Sequence, residues 1–207
     1  MTVAFDFATL DIPERSRLIT RFVAPRAIAF VSTRSAAGAG NLSPFSFFTG
    51  GGSNPASVVF CTVNDRDGRP KHTLRNIEET GEWVINAVSW AMSQRMNQAS
   101  YSYPDGVDEL EAVGFTHCES VRVAPGGVAE SPARMECRLH QVVRHGTGPS
   151  ASNYVIGEVV YLSVDDAVCT DGLPDNFKLD QIARLGADLY TRVTPASLFS
   201  MPRPLVP

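Results

Sequence analysis

Two stretches late in the chain limit its fold most. Residues 133–145 read Ala-Arg-Met-Glu-Cys-Arg-Leu-His-Gln-Val-Val-Arg-His, with Met135, Cys137, Leu139 and Gln141 alternating against Glu136, Arg138, His140 and Val142. Successive side chains on a strand point to opposite faces, so period-two alternation marks a half-exposed β-strand. Residues 153–165, with Tyr154, Val155, Ile156, Val159, Val160, Tyr161 and Val164, form the partner strand across a turn at 146–152. The pair predicts a long antiparallel hairpin, with a bulge at Gly157-Glu158. His140 and His145 lie on it without a carboxylate or cysteine at ligand spacing, so they read as solvated.

Earlier, Ala27-Ile28-Ala29-Phe30-Val31-Ser32-Thr33 is an apolar, β-branched run that predicts a buried strand. Pro25-Arg26 precedes it, and Arg26 reads as a solvated charge at the strand's end. Residues 34–40, with glycines at 38 and 40, predict a hairpin turn. Residues 49–54 read as a Gly-rich loop, 57–63 and 82–87 as strands, and 64–70 as a loop. Helices are expected at 5–20 (Asp11 as cap, Pro13 in the first turn), 71–80 (Gly81 as stop), 89–99 and 108–113. Residues 100–107 read as a loop, 115–123 as extended, 168–176 as a polar loop and 177–182 as a helical turn. The Pro-rich tail from 199 is expected to pack over the body or a partner subunit. Many short strands with Gly-rich turns indicate one mainly β, α+β domain over residues 1–207: a small antiparallel β-barrel with peripheral helices. The absence of GxGxxG after a strand argues against a Rossmann domain.

Composition removes several functions. A net charge of -4 without a basic cluster argues against nucleic acid. Nothing approaches the roughly 20 apolar residues of a membrane span. The N-terminus lacks the charged and apolar regions of a secretory signal, so a cytoplasmic location is expected. Cys61, Cys118, Cys137 and Cys169 are scattered and read as free thiols in a reducing compartment. No CxxC or HExxH spacing offers a metal site.

Two segments carry candidate chemistry. Gly40-Asn-Leu-Ser-Pro-Phe-Ser-Phe-Phe48 mixes phenylalanines with hydroxyls, and Pro44 removes a backbone donor, which argues against a regular central strand. Amides and hydroxyls here suit the edge of a flat aromatic ligand and the rings suit its face. An edge strand whose phenylalanines fill the core uses the same residues. At Lys71-His72-Thr73-Leu74-Arg75 a helix opens with basic and hydroxyl side chains. Basic groups there oppose the helix dipole unless an anion such as phosphate is bound. A capped surface helix with a basic turn is the alternative.

The motifs form an ordered series: Pro25-Arg26-Ala27 to Thr33, Asn41-Leu42-Ser43-Pro44-Phe45-Ser46-Phe47-Phe48, Gly68-Arg69-Pro70-Lys71-His72-Thr73 to Ile77, Glu82-Trp83-Val84-Ile85-Asn86, Ala129-Glu130-Ser131-Pro132, Gly157-Glu158-Val159-Val160, and Ala183-Arg184-Leu185-Gly186 with Tyr190. In this series the chain resembles the flavin reductase-like proteins with an FMN-binding split β-barrel, the flavoredoxin group among them. The resemblance implies a homodimer with FMN near the subunit interface, the phosphate at Lys71 and Thr73, and the isoalloxazine along 41–48. It implies a cofactor-binding set of Asn41, Ser43, Pro44, Phe45, Ser46, Phe47, Thr62, Lys71, His72, Thr73, Asn76, Arg184, Gly186 and Tyr190. His72 departs from the acid that many relatives carry. The implied activity is hydride transfer from NADH or NADPH to flavin N5, without a catalytic side chain, in the service of a downstream oxygenase or other electron acceptor. An FMN-binding electron carrier and a non-flavin barrel module are the rivals.

Overall fold

The computed structural model describes residues 1–104 and 106–204; Asp105, in the expected loop, and 205–207, in the expected tail, lie outside the described residues. The chain runs α1 (Ile12–Phe22), β1 (Ala29–Arg34), β2 (Gly40–Phe45), β3 (Phe48–Ser53), β4 (Ala56–Val63), α2 (His72–Thr80) and β5 (Glu82–Asn86). It continues with α3 (Ser93–Gln98), α4 (Glu109–Ala112), β6 (His117–Cys118), β7 (Gly127–Val128), β8 (Ala133–His145) and β9 (Ser152–Val164). Last come β10 (Cys169–Thr170), β11 (Leu173–Pro174), β12 (Ile182–Arg184) and β13 (Tyr190–Arg192).

The main sheet is antiparallel, in the order β2-β1-β5-β8-β9-β4-β3. Its two edge strands, β2 and β3, are consecutive in sequence and joined only by Ser46 and Phe47. So short a connection spans about 10 Å, so the seven strands must curl until the edges meet. The result is a barrel with an unpaired seam between β2 and β3. Cys61 N–H donates to Phe47 O at 2.8 Å and holds the corner in place.

Apolar side chains fill both faces of β1. Ala29 and Val31 point into the barrel with Phe60, Trp83, Val155 and Phe45, and Leu74 and Ile77 of α2 plug its end. Ile28 and Phe30 point outward beneath Met92, Met96, Leu110 and Phe115. That double burial is why the strand reads as a continuous apolar run. Asn86, the polar residue inside the β5 run, is fully buried and satisfied: its amide donates to Phe30 O (2.9 Å) and its oxygen accepts from Val128 N–H (2.8 Å). No described helix is long and apolar enough to cross a membrane.

Several expectations are corrected. The first helix starts at Ile12, where the extended Asp11 and Glu14 form a capping box. Residues 49–54 are mostly strand, because β4 supplies a ladder partner for the glycines (Gly50↔Val58). The expected bulge is flanked by two register shifts: the extra residues are Val160, between Glu136↔Tyr161 and Cys137↔Val159, and His140, on the facing strand between Leu139↔Gly157 and Gln141↔Ile156. Residues 168–176 contain a hairpin, β10–β11, whose Asp171-Gly172 turn has φ of 51° and 76°. Only His117–Cys118 of 115–123 is strand. Beyond it, buried Glu136 accepts from Val121 N–H (2.8 Å) and Arg122 N–H (2.5 Å), instead of facing solvent as the alternation implies.

Candidate functional site

The loop before α2 is fixed by its own side chains. Asp65 accepts from the backbone N–H groups of Asp67 (2.9 Å) and Arg69 (2.8 Å), and these bonds with Arg69 hold its carboxyl below the usual range. The Arg69 guanidinium is committed to Asp67 at 2.6 Å. Lys71 then takes the N-cap position in extended backbone, with no side-chain cap bond and no acidic residue in the first turn of α2. Among the described residues, no carboxylate pairs with Lys71. At the other end, Gly81 closes the helix in the left-handed region at φ 74°.

A buried amide–hydroxyl network bolts this helix start to the sheet. The Asn41 amide donates to Thr33 Oγ1 (3.2 Å) and Thr73 Oγ1 (3.0 Å), and the Asn76 amide donates to Thr33 Oγ1 (3.0 Å). Thr73 therefore sits at a defined place relative to β2, with its own proton left to donate.

β2 explains how a proline fits in the strand. Leu42 turns its N–H away from β1, to Glu109 Oε2 at 3.0 Å. Gly40 and Pro44 share that outward parity, so the donor that Pro44 lacks would have met no strand. Glu109 is buried, and burial pushes its carboxyl above the usual range against the bond from Leu42.

A cleft of about 340 Å³ joins these parts. Lys71, His72 and Thr73 form one end, Asn41 and Ser43 the β2 wall, and Glu109 and Tyr103 the opposite wall. Tyr101, edge-on to Tyr103 at 5.3 Å, extends that wall towards solvent. The cleft thus has a cationic, amide-rich end next to a polar strand edge and aromatic rings.

Comparison with known proteins gives the family and the fold type. The family model "Flavin reductase like domain" matches residues 21–174. The chain belongs to the flavin reductase-like family. An uncharacterized protein of Halalkalibacterium halodurans is 34% identical over 200 residues, 96% of this chain and 95% of the relative. Nitrilotriacetate monooxygenase component B from Bacillus cereus superposes with a TM-score of 0.91 at 26% identity, covering 97% of this chain and 99% of that one. A Shewanella frigidimarina protein assigned as a flavin reductase with a split barrel domain gives 0.82 at 28% identity, covering 98% and 100%. The open-seamed barrel is thus a split barrel.

In this flavin reductase-like chain, Pro44 lies in β2, Ser46 and Phe47 form the corner after it, and the other expected site residues fall into three groups. Asn41, Ser43, Lys71, His72 and Thr73 share the cleft, with Asn76 behind them in the network. Phe45 belongs to the core, 5.3 Å from Phe60, and Thr62 is fully buried with an unpartnered hydroxyl; neither side chain lines the cleft. The third group does not line the cleft. Arg184 stacks on Tyr190 at 4.5 Å and donates to its hydroxyl, and Gly186 lets the chain pass Arg21, whose Cγ would lie 2.4 Å from an added Cβ.

Arg26 is the main correction among the charges. It is buried, not solvated, because its guanidinium donates to Thr20 O and Val23 O at the end of α1 and to Leu185 O (2.8 Å). Its Nε also reaches Ser46 Oγ at 3.4 Å, and its guanidinium lies 5.5 Å from the half-exposed Phe47 ring. Glu109 and Tyr103 were not foreseen as cleft residues. The acidic run 108–111 does not reveal which carboxylate turns inward. All four cysteines are free, and burial pushes the Cys137 thiol up to about 12, so it carries no thiolate chemistry at neutral pH.

Proposed function

We propose that this flavin-related oxidoreductase is an FMN-binding, NAD(P)H-dependent flavin reductase, working as a cytoplasmic homodimer over its single domain. The observation that carries the reading is the cleft joining an unneutralised Lys71 at the α2 N-terminus to the β2 edge. That pairing fits a phosphate at one end and a flat ring at the other. Lys71, the α2 amides and Thr73 would hold the phosphate, with His72 beside them. Ser43 and Ser46 would meet the polar edge of the ring, and Asn41 and Asn76 keep strand and helix in register. The backbone at Pro44 and Phe45 and the exposed Phe47 border the ring's path, while Thr62 acts from behind the wall. Arg184, Gly186 and Tyr190 would serve the reactive face or the subunit boundary. When bound, the flavin supplies the redox chemistry, taking hydride from NADH or NADPH. Because one similar structure is a monooxygenase component B, a separate oxygenase is the proposed recipient of the reduced flavin.

The test is direct. Purified protein titrated with FMN should quench flavin fluorescence with saturation, and the anaerobic complex should bleach on addition of NADH or NADPH. Binding without bleaching would leave an FMN-binding electron carrier; no binding would remove the proposal. Ser43→Ala should raise the FMN dissociation constant by no more than about tenfold, since a neutral hydrogen bond contributes about 0.5–1.5 kcal/mol. An unchanged constant would take Ser43 out of the ring site.

Assembly is a further expected result. Every described residue of α1 is at least partly exposed, and Ile12, Ile19 and Phe22, like Phe199 and Met201 of the tail, are exposed apolar groups of the single chain. Light scattering should give twice the chain mass of 22.4 kDa. A monomer mass with FMN bound would remove the homodimer.

A further inference from the structure

Glu109 is a buried acid in a cleft read here as the seat of an anion. It opens α4, and its Oε2 accepts from the outward Leu42 N–H at 3.0 Å. Its neighbour Asp108 is otherwise engaged, capping Leu110 N–H at 2.9 Å and meeting His117 Nε2 at 3.2 Å. Glu109 is therefore the acid that α4 presents to the cleft.

The charges around it come from each packed element. From α2, Lys71, His72 and Arg75 line the same cleft, and His72 acts on Glu109 as a favourable charge. From its own element, Asp108 acts as an unfavourable one. The loop before α2 brings Asp65 and Arg69, and Arg69 pairs with Asp67 at 2.6 Å and with Asp65 at 3.4 Å. Residues 100–103 bring Tyr101 and Tyr103, and β2 brings only the uncharged Asn41 and Ser43. Arg95 of α3 turns away, to Gly114 O (2.7 Å) and Glu130 (3.3 Å).

We propose that Glu109 makes flavin binding in this cleft a proton-coupled event: its carboxylate takes a proton from solvent when a phosphate-bearing flavin enters. The proposal rests on the flavin reading of the cleft. Burial already favours the protonated acid. A phosphate brought into the same cleft of about 340 Å³ adds a like charge and more desolvation, and both push in the same direction. The protonated group still offers Leu42 N–H an acceptor oxygen, and it gains an O–H donor for the ligand. Lys71 acts oppositely on the ligand: it favours the phosphate dianion, whose second ionisation lies near pH ~6, and so drives proton release. Net uptake above neutrality therefore does not come from the phosphate, and its loss in a Glu109 variant separates Glu109 from His72 in the same cleft.

The experiment is calorimetric titration of the full chain with FMN and with riboflavin at about pH 7.5, in two buffers of different ionisation enthalpy. The native protein should take up a fraction of a proton with FMN, and its FMN affinity should fall by up to about tenfold per pH unit as pH rises, the limit for one proton. Glu109→Gln keeps an acceptor for Leu42. It should lose the uptake, bind FMN more tightly at about pH 8 and leave riboflavin nearly unchanged. FMN binding without proton uptake by the native protein overturns the proposal without any variant, and so does equal uptake by both proteins. If neither FMN nor riboflavin binds the native protein, the flavin reading of the cleft falls, and the proposal with it.

Discussion

Lys71→Ala should weaken FMN binding about ten- to hundredfold while leaving riboflavin within about twofold. The two ligands share the ring and differ in the phosphate, so the comparison isolates the α2 end of the cleft. A charge-assisted hydrogen bond contributes about 1.5–3 kcal/mol, and about 1.4 kcal/mol is a factor of ten. Lys71 is exposed, so salt should weaken its contribution, and the loss should shrink as ionic strength rises towards 1 M. Lys71 makes no side-chain cap bond, and the first turn of α2 holds no acid. Removing its ammonium should therefore stabilise the empty helix slightly, by relieving the dipole clash. Fluorescence titration of both ligands, with thermal melts of the free proteins, measures each part. Equal losses for FMN and riboflavin would move the phosphate away from α2.

The parts of this fold that sequence reveals are those whose cause is local. The α2 boundaries follow from Lys71 after Pro70 and from Gly81, and the β8–β9 hairpin follows from alternation over thirteen residues on each arm. The α2 end of the cleft was legible for the same reason, since Lys71, His72 and Thr73 are neighbours in the chain. The closure of the barrel was not. It depends on Ser46 and Phe47 joining strands that lie six places apart in the sheet, a fact of strand order and not of composition. Arg26 and Glu136 were misjudged because a charge next to an apolar run reads as solvated. Each instead satisfies backbone groups that only the folded chain brings near, Leu185 O for Arg26 and Val121 N–H for Glu136. The phenylalanines of 45–48 divide between core and surface because the strand ends at Phe45, and after the corner alternation no longer fixes a side chain's face. Glu109 became a cleft residue only because α4 lies across an edge strand 67 residues earlier in the chain.

Gly157→Ala tests how closely the barrel interior is filled. Gly157 sits in a central strand, paired with Leu139 of β8 on one side and Val58 of β4 on the other. A Cβ there would lie 2.1 Å from Trp83 Cη2, 2.4 Å from Cζ2 and 2.9 Å from Arg138 O. Trp83 is fully buried and edge-on to Phe60 at 5.9 Å, so the indole cannot swing aside without disturbing Phe60 and, through it, Phe45 at the end of β2. Overpacking of this kind costs about 1–3 kcal/mol, and a contact with both ring and backbone belongs at the upper end. For a domain of this size that is a fall in melting temperature of roughly 6–12 °C. If Gly157 only marked a bulge, alanine would cost little. Trp83→Phe provides the control: it removes the benzo ring that the new methyl meets, and the Trp83 Nε1–H it deletes has no partner to lose. In the Gly157→Ala background, Trp83→Phe should recover about 1 kcal/mol or more of the loss, a coupling that separate effects would not produce. Melts of the four proteins in that cycle decide it, and strict additivity would show that the clash is relieved elsewhere in the sheet.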